Sequence, residues 1–170
     1  MITLSVLNGL DRDGFVEVLA GIFEHSPWIP AAAFGQRPFA SVEALHRAMA
    51  AVVEAAPEEC RLQLLKAHPE LAGKADRKMA LTAESTSEQA GAGLDQLKAD
   101  ESARLSAANW LYRQRFGFPF IIAVRGQRDR AAILAALEAR TNNGEKEEID
   151  TAIAEVAKIA WFRLSDLIEP

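Results

Sequence analysis

Only one stretch of this chain, Phe118-Pro119-Phe120-Ile121-Ile122-Ala123-Val124, reads as short, apolar and extended, and no second segment offers it a convincing partner strand. A lone strand cannot satisfy its own backbone hydrogen bonds. The segment is therefore expected to be buried extended backbone or a distorted turn, and the apolar residues elsewhere must be buried on helices. The expected fold is all-α, a compact single domain over residues 1–170 built as a bundle of about eight helices.

The helical periodicity is broken by identifiable punctuation. Asp11 or Asp13 can cap a first helix carrying Phe15, Val16, Leu19 and Phe23, which His25-Ser26-Pro27-Trp28 should end. Arg37-Pro38-Phe39 is a second break. Ser41 opens a helix that buries Val42, Leu45, Met49 and Val52 or Val53. Pro57 suits the first position of the next helix, with Glu58 and Glu59 favourable beside its N-terminal dipole, and that helix runs to Ala67. Residues 69–84 form the longest irregular stretch, including a basic loop from Lys74 to Lys78. Further helices are expected from Ser85, from Asp100 to Phe116 with Gly117 ending it, over 127–141, and over 145–168 after Asn142-Asn143-Gly144.

Composition narrows the class of function. Of the 170 residues 49% are hydrophobic and 25% charged, the balance of a soluble globular protein. A net charge of −5 argues against nucleic acid, and no apolar run approaches the roughly 20 residues of a membrane helix. The N-terminal residues carry no secretory pattern, and Cys60, the single cysteine, can form no intrachain disulfide. A cytoplasmic location is expected. No metal-ligand spacing or phosphate-cradling glycine motif occurs; Gly91-Ala92-Gly93 lacks the preceding strand that such loops require.

Little in the chain looks chemical apart from His68-Pro69 and the run Ser85-Thr86-Ser87-Glu88-Gln89. Histidine titrates near neutrality and can both give and take a proton. His68 follows Leu64 and Leu65 on one helix face, and Pro69 should turn the chain there. The alternative is a packing histidine bonded to a carbonyl. Glu88 has a rival role as well, because Ser85-x-x-Glu88 is a capping-box pattern, which would leave Gln89 on the surface. On the last helix Arg163 falls about 40° to one side of Leu167, inside the stripe of Val156, Ala160 and Leu164. Such a guanidinium must snorkel out, pair with an acid or face an anion, and the acid pair is the default. Arg140, at a helix end, reads as structural; His46 has no companion ligand, and His25 reads as a helix-end residue.

Taken in order, Arg37-Pro38-Phe39, His68-Pro69-Glu70-Leu71-Ala72-Gly73, Leu81-Thr82 with Glu84-Ser85 and Glu88-Gln89-Ala90, Arg115-Phe116-Gly117-Phe118-Pro119-Phe120-Ile121, Arg140-x-x-Asn143 and Lys158-Ile159 with Arg163-Leu164 resemble the OHCU decarboxylases of urate catabolism. These enzymes act on 2-oxo-4-hydroxy-4-carboxy-5-ureidoimidazoline (OHCU). The resemblance covers nearly the whole chain. It implies a compact all-α fold, usually a homodimer, and cofactor-independent loss of CO2 from a small ureide to give (S)-allantoin. It further implies that His68 is the general acid/base and that Glu88 orients it or the substrate. Substrate binding would fall to Pro69, to Ser85, Thr86, Ser87 and Gln89, to Phe120, Ile121, Ile122, Ala123 and Val124, and to Arg163. The chain ends Leu167-Ile168-Glu169-Pro170, without the peroxisomal address of many eukaryotic relatives. A ureide hydrolase and a helical interaction module that has lost the chemistry are the competing classes.

Overall fold

The computed structural model describes residues 1–71, 83–91, 94 and 97–169. The basic loop Lys74–Lys78 and the Leu81-Thr82 pair lie outside the described residues. Nine α-helices, a short 3-10 helix (Phe34–Gln36) and one short strand pair are the named elements among the described residues, so the all-α expectation holds. Backbone contacts group the chain into two compact units, Met1–Leu64 with Ala157–Pro170, and Leu65–Val156. None of the described helices is long and apolar enough to cross a membrane.

The first unit contains α1 (Leu4–Gly9), α2 (Arg12–Val18), α3 (Trp28–Ala33), α4 (Val42–Ala55) and most of α5 (Glu58–Ala67). Short polar side chains start these helices by accepting otherwise unpaired N–H groups. Thr3 accepts from Val6, Asp11 from Gly14 at 2.9 Å, and Ser41 from Ala44 at 3.2 Å. From α4, Val42, Leu45, Met49 and Val53 are buried, the face expected from their spacing. Phe15 stacks on Phe39 and meets Phe34 edge-on. Arg37 explains its own motif: it donates to the carbonyls of Asn8, Leu10 and Phe34 and lies over the Phe34 ring. The Asn8 amide, in turn, donates to and accepts from the Phe39 backbone at 2.9 Å.

Three expectations need correction in this unit. A helix, α1, precedes the one expected to be first. Next, α2 stops at Val18 rather than reaching His25: the chain continues in tight three-residue turns, Ala20 to Glu17, Ile22 to Leu19 and Ser26 to Phe23. Those turns keep Leu19, Ile22 and Phe23 buried, so core packing overrides the helical periodicity. His25 sits in this turn region at φ 46°, exposed. Finally, β1 (Ile2–Thr3) pairs in parallel with β2 (Ile168–Glu169), Ile2 opposite Ile168. Two-residue strands carry no periodicity to read.

The second unit contains α6 (Ala83–Gly91), α7 (Ala99–Phe116), α8 (Arg130–Arg140) and the first half of α9 (Glu145–Leu167). Gly117 ends α7 in the left-handed conformation, φ 75°, which a glycine adopts without a Cβ penalty. Asp129 caps α8 by accepting from Ala132 at 2.8 Å, and this bond holds its carboxyl below the usual range. The centre of the unit is aromatic. Tyr112 touches Phe116, Phe118 and Phe120, with ring centroids 4.7, 5.9 and 5.3 Å away.

Candidate active site

The last turn of α5 carries His68 into the interior. Its N–H donates to the Leu65 carbonyl at 3.2 Å, and the residue is only 5% exposed. Pro69 follows at once, half-buried, and redirects the chain as a proline after a helix end should. The turn is then pinned by side chains from two later helices. From α6, Gln89 Nε2 donates to the Glu70 carbonyl at 3.5 Å. From α7, Asn109 Nδ2 donates to the Leu71 carbonyl at 2.9 Å, while Arg113 lies 3.6 Å from the Glu70 carboxylate. Gln89 thus links the two parts of the sequence that looked chemical.

Ser85 does not start α6. The helix begins at Ala83, so Ser85 stands inside it and is buried, which removes the capping-box geometry proposed for Ser85 and Glu88. A cap precedes its helix. Ser85, Glu88 and Gln89 follow the i, i+3, i+4 spacing of one helical face and are buried or half-buried, whereas Thr86 and Ser87 are exposed. Gln89 is accordingly not the surface residue of the alternative reading.

Phe118 to Val124 forms no strand, as expected, and residues 118–123 are buried. Side chains supply what a neighbouring strand would have supplied. Arg140 Nη1 donates to the Ile121 carbonyl at 2.8 Å, and the Glu155 carboxylate accepts from the Ala123 N–H at 2.8 Å. Gln127 takes the Ala123 and Val124 carbonyls. Ile122 is 6% exposed, yet neither its N–H nor its carbonyl bonds to another described residue.

Behind this segment lies a buried polar cluster that the sequence reading missed. Glu148, 0% exposed, accepts from Arg140 Nε at 2.9 Å, from Asn143 at 2.8 Å and from the Tyr112 hydroxyl. Burial, and then the Glu148 carboxylate, push the Tyr112 hydroxyl far above the ordinary tyrosine range, so it remains a donor. The Arg140 guanidinium also lies over the Phe120 ring, 4.6 Å from its centroid. Arg140 does more than complement a helix dipole. A legible signal existed: Glu148 and Glu155 are seven residues apart, near-superposed on the helical wheel, with Ala152 between them.

Arg163 lies in the other unit, where the expected acid pair is present. Its Nη1 donates to Glu24 at 3.0 Å and to the Gly21 carbonyl at 2.9 Å, with both charged side chains buried. His46 is held in the same unit, its Nε2 2.8 Å from the Ala157 carbonyl and its ring edge-on to Trp161. Among the described residues no group of three His, Cys, Asp or Glu side chains is placed to hold a metal ion.

The sequence profile of the OHCU decarboxylase family matches residues 8–165. The 2-oxo-4-hydroxy-4-carboxy-5-ureidoimidazoline decarboxylase of Haloferax volcanii is 43% identical over 165 residues, which span 97% of this chain and 95% of that protein. Among solved structures, a crystal structure of (S)-allantoin synthase superposes with a TM-score of 0.77 at 29% identity, covering 98% of this chain and 54% of the other. A crystal structure of OHCU decarboxylase in the presence of (S)-allantoin gives a TM-score of 0.65 at 27% identity, over 84% of this chain and 91% of that one. The profile match and the near-complete overlap with the Haloferax volcanii protein agree, and this chain belongs to the OHCU decarboxylase family.

Proposed function

We propose that this protein converts OHCU to (S)-allantoin and CO2 in urate degradation, without a cofactor, and that His68 is its general acid/base. The observation that carries the reading is the family match over nearly the whole chain. A buried histidine supports the assigned role. Loss of CO2 leaves an electron pair on carbon, and this substrate has its own sink in the adjacent ring C=N bond. What remains for the protein is to orient the carboxylate, exclude water and deliver a proton to one face. The burial of His68, at a turn whose next two carbonyls accept from Gln89 and Asn109, supports that role.

The other roles divide by environment. Glu88 orients His68 or the substrate hydroxyl, while Ser85 and Gln89 bond the ring or the ureido group. Thr86 and Ser87, whose side chains are exposed, contribute main chain. Pro69 shapes the wall beside His68, and residues 120–124 offer backbone groups to the ureide. Arg163 has a positioning role toward the carboxylate. Binding that group too tightly would stabilise the ground state, so little of the rate enhancement is assigned to it. The protein is proposed to act as a cytoplasmic homodimer. Freshly generated OHCU, followed by the circular dichroism of the allantoin formed, tests the activity. A rate no faster than spontaneous decay would refute it.

A further inference from the structure

The buried acids Glu148 and Glu155 and the half-buried Arg140 guanidinium have no part in the proton transfer assigned above, yet charged groups taken out of water are costly unless they are well paired. Their partners show where that cost is directed. Arg140 gives one nitrogen to the Ile121 carbonyl, and Glu155 accepts the Ala123 N–H, each at 2.8 Å. These two backbone groups flank Ile122. In extended backbone the N–H and carbonyl of one residue point to the same edge, while those of its neighbours point to the opposite edge. If that alternation holds here, the bonds of Ile121 and Ala123 on one side turn the N–H and carbonyl of Ile122 together to the other. Among the described residues nothing bonds to them.

We infer that Arg140 and Glu155 are positioning residues that lock this alternation, so that Ile122 presents one donor and one acceptor side by side to the ureido group of the substrate. The proposal rests on the ureide assignment made above. A ureido group carries an N–H beside a carbonyl and can complement Ile122 as the next strand of a sheet would. A buried peptide group left unpaired carries a desolvation cost, which a matching ligand recovers. Glu148, itself bonded by Asn143, and the Phe120 ring hold the Arg140 guanidinium in place, so the cluster behind the segment maintains its register.

The test compares Glu155→Ala, Glu155→Gln and wild type by kinetics on freshly generated OHCU, by calorimetric binding of (S)-allantoin, and by thermal melting. Glu155→Ala is expected to raise KM about tenfold and to weaken allantoin binding by a similar factor, with a smaller change in kcat. Glu155→Gln keeps an oxygen that accepts from Ala123 and should recover most of both losses. A folded Glu155→Ala protein with unchanged KM and allantoin affinity would overturn the positioning role. So would a fall in kcat alone that Glu155→Gln does not restore. Wild-type protein that neither turns over OHCU nor binds allantoin would overturn the ureide assignment, and this proposal with it.

Discussion

Arg163 donates to Glu24 at 3.0 Å from side chains that are 5% and 1% exposed, a buried ion pair between residues at opposite ends of the sequence. Removing one member strands the other charge in the interior. Arg163→Met is expected to destabilise the protein by about 3–5 kcal/mol, whereas the double variant Arg163→Met/Glu24→Leu should regain much of that loss. Urea denaturation of the two single variants and the double variant measures the coupling. Additive losses would show that the pair is not energetically linked.

His68→Asn keeps a polar side chain of similar size but cannot exchange a proton near neutral pH. Turnover of OHCU is expected to vanish while the melting temperature stays close to that of wild type. Full activity in the folded variant would take the proton-transfer role away from His68.

Tyr112 makes stability depend on alkaline pH. Its hydroxyl is raised above the ordinary value of 10.0 by burial and by Glu148, so the folded protein keeps a proton that the unfolded chain releases. The unfolded state then binds fewer protons, and stability must fall as pH rises through about 10. Below that pH the contribution is fully present. Tyr112→Phe should be less stable near neutrality by about 1–3 kcal/mol, because Glu148 loses a donor, and should show a shallower decline above pH 10. Denaturant titrations from pH 7 to pH 11 supply the comparison, and parallel curves would contradict the assignment.

Asn109 is 2% exposed and donates to the Leu71 carbonyl at 2.9 Å, just after the His68 turn. Asn109→Ala leaves that carbonyl without its donor. A loss of about 1–3 kcal/mol in unfolding free energy is expected, together with lower activity as the turn loosens. Wild-type stability in the variant would mean that the turn is held by other contacts.

What could be read from the residues alone was mostly local. Ser41 as a cap, Ala67 as the end of α5 and Gly117 as the end of α7 each follow from chemistry within a few positions, and each stands in the structure. The end of α2 did not follow, because Leu19, Ile22 and Phe23 satisfy the core through tight turns as well as through a helix. Ser85 was misplaced for a related reason: a Ser-x-x-Glu pattern inside a helix looks the same as one at its start. At the candidate site residue type and spacing singled out His68 and the Ser85–Gln89 run, but they left a packing histidine and a surface Gln89 as alternatives; roles for both came only from the resemblance. Arg140 was judged by its helix position, but its acceptors lie on α9 and on the extended segment, beyond any local rule.

The strand pair of Ile2 with Ile168 joins positions separated by nearly the whole chain. Closing so large a loop carries an entropic penalty that two ladder positions cannot meet by themselves, so this contact cannot nucleate folding. It should form after the helices have assembled and be absent from the folding transition state. Ile168 is 2% exposed, so trimming it to Ala removes real packing. That loss is expected to appear almost wholly as faster unfolding, with the refolding rate unchanged, in stopped-flow measurements of Ile168→Ala.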